Sequence, residues 1–549
     1  MCGVLARLLQ NGESASTSMD GFEHQLDQLR ARGPEGSRIV HVTPTLTVGF
    51  TRLAINGLTT SGMQPYHHGP ITWMCNGEIY NHKHVERSLG LSNTGSDCEC
   101  IGTLYMHHRD DLCAFSRALD GVFAVVLHDA ERNRLIVTRD PYGVRPLFVA
   151  SHTSSASRAV EVASEIKALH AGYDELVSVA PGSLRVYDST TASLLEETHY
   201  HTIPWITHPH LARNAPQAYQ TAWAAINVAL NEAVKKRLLS DRPIAALLSG
   251  GLDSSIVASL LQKHSKTPIK TFSIGFEGSA DIRFARLVSE WIQSDHTEIV
   301  MTPDEFFDAI PRVIRAIESY DTTTVRASVG NYLVAKKIRE TSDCKVVFNG
   351  DGADELFGGY LYFRNAPSAE AFHAETERLL RDLHHFDVLR SDRTISANGL
   401  EARTPFLDKQ FVAVVRSIDP ELLRPVAGQT VEKEILRRAF DDGASLPASV
   451  LWRRKEAFSD GVSSPEKAWF REIQERVDEL MESRPVSGDA VPPPEHLDMT
   501  TNEERYYWHL FTSFYGDKAR NVVPYRWMPR WCPGATDPSA RTLDVYDEQ

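Results

Sequence analysis

A chain of 549 residues exceeds what one hydrophobic core organises, so two or three domains are expected. Its apolar and charged fractions, 42% and 24%, are those of a globular protein, and no apolar run is long enough to span a bilayer. A formal charge of −14 argues against nucleic acid or an anionic membrane as the main partner, while leaving room for a local basic pocket around a nucleotide. Seven scattered cysteines form no disulfide pattern, and Cys98-Glu99-Cys100 lacks the spacing and the second pair of a zinc knuckle. A reducing compartment, hence a cytoplasmic location, is the expectation.

The chain opens Met1-Cys2-Gly3-Val4-Leu5-Ala6, with no charged-then-apolar leader pattern. Removal of Met1 would leave a thiol covalently beside an α-amine of pKa near ~8, a nucleophile and a base in one residue. Alone, Cys2 reads equally well as an early residue of a first strand. The motifs downstream of it change that reading: Arg32-Gly33-Pro34-Glu35, Gly49 to Ile55, Gln64-Pro65, Asn76-Gly77-Glu78-Ile79-Tyr80-Asn81, Gly95-Ser96-Asp97, Leu119 to Ala124 and Arg139 to Leu147. This succession, over roughly residues 2–205, resembles the N-terminal-nucleophile glutamine amidotransferase domain. The resemblance implies an αββα sandwich of two antiparallel sheets, and the alternating patterns at 46–55, 71–80, 121–128 and 134–139 are compatible with its strands.

Hydrolysis of a side-chain amide needs a nucleophile, a proton acceptor and donors for a tetrahedral oxyanion. The resemblance gives the attack to Cys2 and the oxyanion to the Asn76 side chain and the Gly77 N–H. It gives the α-carboxylate of glutamine to Arg52, whose guanidinium suits a bidentate clamp, and the α-ammonium to Glu78 and Asp97.

A polar, Pro- and His-containing stretch around 206–217 reads as a linker, and an amphipathic helix is expected from about 218. Next comes Pro243-Ile-Ala-Ala-Leu-Leu-Ser249-Gly250-Gly251-Leu252-Asp253-Ser254-Ser255. Its apolar run predicts a buried parallel strand, and its end predicts a helix capped by Ser254 or Ser255. Between them two glycines let the backbone approach a ligand, so that N–H groups, hydroxyls and a helix N-terminus converge where an anion would sit. No Gly-Lys-Ser/Thr follows, so this is not a Walker A loop. It resembles the pyrophosphate loop of synthetases that cleave ATP to AMP and pyrophosphate.

Further strands at 269–276 and 345–348 alternate with helical stretches, predicting a parallel α/β sheet with additional helices over 218–535. Ligands bind at the carboxyl ends of such strands. Ser249 to Ser255, Gly275-Phe276 and Asn349-Gly350-Asp351-Gly352-Ala353-Asp354-Glu355 all fall there. Asp253 and Asp354 have the hard oxygens that suit Mg²⁺ on ATP phosphates; a helix cap is the bland alternative for Asp354.

Tyr320 to Ser328, Gly358-Gly359-Tyr360, Gly399 to Asp408, Trp452 to Gly461 and Asp537-Pro538-Ser539-Ala540-Arg541 complete the series. With the N-terminal domain in front, nearly the whole chain resembles the glutamine-hydrolysing asparagine synthetases; Trp527-Met528-Pro529-Arg530-Trp531 with Asp537 to Arg541 looks most like the eukaryotic branch, and 536–549 is the C-terminal tail. The resemblance implies that ATP adenylates the side-chain carboxylate of aspartate. Ammonia freed at Cys2 then passes through a closed internal route and displaces AMP. Leu247, Ile274 and Gly350 would surround the adenosine, and Ser249, Gly250, Gly251, Asp253, Ser254 and Ser255 the phosphates. Thr323, Thr324 and Arg326 would contact aspartate, and Lys455 would steady the transferring phosphate. Two positions depart from the family: Asp351 stands where many relatives have glutamate, at a position expected to accept a proton, and Asn349 replaces a small hydroxyl residue. Neither change removes a reacting group.

Three other readings are weaker. A β-lactam-forming synthetase does not hydrolyse glutamine, and intact Cys2, Arg52 and Asp97 argue against it. A sugar-phosphate amidotransferase shares Arg139 to Leu147 but has no ATP loop. A non-catalytic regulator would lack reacting groups. The partners expected are glutamine, aspartate and ATP, with no nucleic acid or membrane; the oligomeric state stays open, a homodimer being one option. The polar residues 542–549 are expected to be mobile.

Overall fold

The computed structural model describes residues 1–10, 19–91, 95–153, 158–203, 216–426, 428, 430–464, 467–483, 491–517 and 519–543. The expected linker lies outside the described residues as far as 215, and so does the tail from 544. Among the described residues no helix is long and apolar enough to cross a membrane.

The N-terminal part is built on two six-stranded antiparallel sheets. The first runs Glu175–Ser178, Phe148–Thr153, Arg158–Ala163, Gly3–Leu9, Leu46–Arg52, Gly36–His41, and the second Leu194–His199, Ser183–Asp188, Arg134–Arg139, Gly121–Asp129, Ile71–Ile79, Tyr66–His68. Side chains alternate across a strand, so Val4, Ala6 and Leu8 meet Met74, Ala124, Val126 and Val137 between the sheets. The opposite face of the second sheet, through Trp73, Phe123, Val125 and Leu127, packs on Val85, Ile101, Leu104 and Phe115 of three helices. Gly3–Leu9 is central in its sheet, which holds Cys2 at the end of a strand paired on both sides.

Three of the four expected N-terminal strands appear within a residue of their predicted ends. The stretch 46–55 instead stops at Arg52. Beyond it the backbone groups bond elsewhere: Ala54 N–H donates to Glu35, the Ala54 carbonyl accepts from Arg242, and the Ile55 carbonyl accepts from Asp241 N–H. The last two partners lie past residue 240, so this segment has left the sheet to join the C-terminal part.

That part carries a five-stranded parallel sheet, ordered Asp295–Val300, Lys270–Gly275, Ile244–Leu247, Val346–Phe348, Glu401–Arg403. Numbered along the chain this order is 3-2-1-4-5, and its direction reverses between Ile244–Leu247 and Val346–Phe348, where a crevice opens at the strand ends. The sequence pattern announces three of these strands. Asp295–Val300 is an edge strand with mostly polar, half-exposed residues, and Glu401–Arg403 is only three residues long, so neither shows a buried-strand pattern.

The helix after the first strand runs Leu252–His264 with Gly251, not a serine, at its N-cap. Ser254 lies in the first turn and folds back on the loop, donating to the Gly251 carbonyl at 3.3 Å. The two parts share a core: Phe22, Leu26 and Leu29 lie in one buried cluster with Tyr173, Ile314 and Ile317.

Candidate active site

Cys2 sits beside Asn76, whose Oδ1 accepts the Cys2 N–H at 3.0 Å. The Asn76 amide nitrogen is buried without a hydrogen-bond partner among the described residues, which leaves a donor unspent beside Cys2. Arg52, Gly77, Glu78 and Asp97 line the same pocket, as expected, together with Gln64, Cys98 and Glu401. Arg52 is held from behind by the carbonyls of Gly57 and Thr59. Asp97 accepts the Ile79 N–H at 2.7 Å, and Glu78 accepts from the Asn56 amide. Burial, then the neighbouring Asp97 carboxylate, pushes the Glu78 carboxyl well above its ordinary range, against the pull of Arg403. Burial likewise raises Asp97. Two buried carboxylates, both raised, make a place where a ligand's cation is favoured.

Met1 is also buried, with its α-nitrogen 3.6 Å from Glu401. While Met1 is attached, the Cys2 nitrogen is a peptide N–H and has no basicity. Burial raises the Cys2 thiol, partly offset by the nearby α-ammonium.

At the crevice of the parallel sheet, the loop Ser249-Gly250-Gly251 is braced internally. Ser249 and Ser254 hydroxyls are 3.0 Å apart, and the Ser249 N–H donates to Ser254 at 3.2 Å. Gly250 has φ +70°, and a Cβ there would lie 2.4 Å from the Ala285 nitrogen, so only glycine fits. Beside the loop lies a cavity of about 200 Å³, lined by Leu247, Ser249, Gly251, Asp253, Ser254, Phe272, Ile274, Thr323, Thr324, Gly350, Asp351, Asp354 and Lys455. Gly250 shapes the loop from behind, and the Ser255 hydroxyl is buried without a partner among the described residues.

Asp253 and Asp354 converge on a residue that sequence reasoning missed. Lys433 Nζ lies 2.5 Å from Asp253 Oδ2 and 2.6 Å from Asp354 Oδ1, while Lys455 Nζ is 2.7 Å from Asp354 Oδ2. Burial alone would raise Asp354, but the two ammonium groups outweigh it and hold it well below the usual carboxylate range. Carboxylates that meet one monovalent cation can reach one divalent ion, so the donor set fits Mg²⁺. Asp354 lies in the first turn of Ala353–Phe357, whose N-cap is Gly352, so it is not a cap.

The three residues expected to hold aspartate separate. Thr323 has a buried hydroxyl without a partner among the described residues, in the cavity wall. Thr324 spends both its N–H and its hydroxyl on Asp321, each at 2.8 Å, where Asp321 caps the helix Thr322–Thr341. Arg326 is outside this cavity. Its guanidinium grips Glu503 at 2.8 and 2.6 Å and Asp537 at 2.8 Å twice, so both faces of the fork are taken. It ties three segments together and lines an adjoining cavity with Thr323 and Lys455. Arg390 does line the cavity beside the loop, with Arg437, Arg453 and Arg454, and it is bonded through Nη2 to Asp351 and Asp387 at 2.9 Å each, with Nε unpartnered among the described residues. Burial raises the Asp351 carboxyl against the pull of Arg390, and its Oδ2 has no partner among the described residues. Asn349 bonds Ser391 at 2.6 Å and holds the Asp351 loop to the helix Asp387–Ser396.

A seam of buried charge joins the two sites. Arg32 Nη1 is 2.7 Å from both Glu165 and Asp392, and Arg393 is 2.7 Å from Glu318. Arg145 faces Asp392 at 3.4 Å, and Arg403 pairs with Glu401 at 2.9 Å.

A cysteine pocket among antiparallel sheets, joined through a seam of buried charge to a glycine loop at the crevice of a parallel sheet, fits a two-domain glutamine amidotransferase and synthetase. A glutamine amidotransferase domain model matches residues 1–223 and an asparagine synthase model residues 225–515. The chain is 40% identical over 572 residues to the asparagine synthetase [glutamine-hydrolyzing] of Gallus gallus, covering 100% of this chain and 99% of that one. It is 40% identical over 544 residues to the protein so named from Homo sapiens, covering 94% and 95%. The chain belongs to the glutamine-hydrolysing asparagine synthetases.

Proposed function

We propose that this chain makes asparagine from aspartate in two linked sites, with ATP cleaved to AMP and pyrophosphate and glutamine supplying the nitrogen. Once Met1 is removed, the Cys2 α-amine takes the thiol proton and the sulfur attacks the glutamine amide. Asn76 Nδ2 and the Gly77 N–H receive the developing oxyanion, and Arg52, Glu78 and Asp97 hold the amino-acid end. The freed ammonia leaves past Glu401 and Arg403, which belong to the synthetase sheet and reach the cysteine pocket. In water at neutral pH it would be protonated and inert as a nucleophile, so a closed passage along this seam keeps it reactive.

In the second site, Leu247, Ile274 and Gly350 surround the adenosine, while Ser249 to Ser255 cradle the phosphates. Mg²⁺ held by Asp253 and Asp354 would neutralise the pyrophosphate as it departs. Lys455 steadies charge on the α-phosphate as the aspartate carboxylate attacks it. Thr323 and Arg390, rather than Thr324 and Arg326, face the amino acid, and Asp351 accepts a proton from the attacking ammonia. Its shorter reach than glutamate is met by Arg390, which fixes it in the wall.

The observation that carries this reading is Cys2, its N–H bonded to Asn76, in a pocket lined by Arg52, Gly77, Glu78 and Asp97 that Glu401 of the second domain helps to close. Oxygen-18 in the side-chain carboxylate of aspartate should appear in AMP. Label remaining wholly in asparagine, or appearing in ADP-linked phosphate, would overturn the acyl-adenylate route.

A further inference from the structure

Lys433 is built into the fold at the point where Asp253 and Asp354 meet. Its side chain is 1% exposed, and both carboxylate contacts are at ion-pair distance. The position is not an accident of a flexible surface side chain. Lys433 has φ +54°, in the left-handed region that a lysine rarely adopts and that persists only where the surroundings over-determine it. Gly359 clears a path for its stem: a Cβ there would lie 2.1 Å from Lys433 Cε. Neighbouring Glu432 is engaged by Arg437 and Arg364 and does not compete for the ammonium. Lys455, the other ammonium nearby, reaches only Asp354, through its second oxygen.

An ammonium and a divalent ion compete for one pair of carboxylates, since like charges held so close repel. A bare divalent ion would have to expel Lys433 from both of its carboxylate partners. A metal–triphosphate brings negative oxygens with it and gives the displaced ammonium a new partner. We propose that Lys433 is a resident cation that holds Asp253 and Asp354 together before nucleotide binds and yields them only to metal carried by ATP. This rests on the reading of those carboxylates as the metal's ligands. It makes Lys433 a positioning residue that sets the order of metal and nucleotide binding.

The test is the binding of Mn²⁺, read by the electron paramagnetic resonance of the free ion, to the full-length protein with and without ATP. Wild type should bind Mn²⁺ at this site only when ATP is present. Lys433→Met should bind one Mn²⁺ at least tenfold more tightly than wild type without nucleotide, and its melting temperature should rise with added Mn²⁺. Lys455→Met should gain less. Wild type binding bare Mn²⁺ as tightly as a folded Lys433→Met would overturn the proposal, folding being judged by the melting transition. Lys433→Arg keeps the cation and should still exclude bare Mn²⁺; failure to do so would also count against it. Asp253→Asn separates the premise: if it leaves Mn²⁺–ATP affinity unchanged, the metal reading itself has failed.

Discussion

Glu78 of the amidotransferase pocket lies 3.4 Å, through Oε2, from Nη2 of Arg403, which belongs to the last strand of the synthetase sheet. Arg403 also holds Glu401 and donates to the carbonyls of Arg237 and Leu239. One guanidinium thus touches the glutamine pocket, the synthetase sheet and the segment that leads into its first strand. Glu78→Gln keeps the shape and removes the charge. The KM for glutamine should rise at least tenfold, about 1.4 kcal/mol, while ammonia-dependent synthesis is retained. An unchanged KM in glutaminase assays would show that Glu78 does not hold the substrate.

Gly250→Ala separates the two half-reactions. The added Cβ would strike the Ala285 backbone from a left-handed turn, and the loop must shift to admit it. Asparagine formation from ammonia and ATP should fall by two orders of magnitude or more, with glutamate release persisting. Equal loss of both would point to a folding defect instead.

Arg326 and Arg390 should fail in different ways. Arg326→Gln leaves Glu503 and Asp537 facing each other with one charge partner lost, and breaking buried ion pairs of this kind costs roughly 3–5 kcal/mol. Its signature is a lower melting temperature. Arg390→Gln should raise the KM for aspartate more than that for ATP. A reversal of these two signatures would restore Arg326 to the substrate.

How much of this was legible in the sequence depends on whether a residue's partners are local. Cys2, Asn76, Asp97 and the 249–255 loop sit in short motifs whose chemistry is contained in the motif, and Cys2 and Asp97 line one pocket while Ser249, Gly251, Asp253 and Ser254 line the other. Lys433 lies in Glu432-Lys433-Glu434, which reads as a solvated charge run, because its partners are 180 and 79 residues away. Arg326 is the converse case. It stands in a hydroxyl-rich motif that suits a dicarboxylate, but Glu503 and Asp537, which consume it, are visible only after folding. Glu401 and Arg403 stand in a motif that suggests no role for them, since three residues are too few to announce a strand.

The buried carboxyl of Asp460 gives a pH prediction. Burial pushes it up to about 6, although Arg541 and the Ser539 hydroxyl pull the other way. A carboxyl raised in the folded state favours folding when protonated. Its stabilisation is complete below about pH 4 and is lost as the pH rises through about 6, by on the order of 3 kcal/mol. Asp460→Asn stays neutral throughout. Its melting temperature relative to wild type should therefore increase between pH 4.5 and 7. A constant difference would mean that Asp460 titrates normally.

The central claim is that one chain couples amide hydrolysis at Cys2 to synthesis at the parallel sheet. The direct measurement incubates wild type and Cys2→Ala with ATP, Mg²⁺ and aspartate, supplied with either glutamine or ammonia, and quantifies asparagine, glutamate, AMP and pyrophosphate. Wild type should form asparagine, AMP and pyrophosphate in equal amounts, with glutamate accompanying them when glutamine is the donor. Cys2→Ala should match wild type with ammonia and make no asparagine from glutamine. Full-rate synthesis from glutamine by Cys2→Ala, or ADP in place of AMP, would contradict the account.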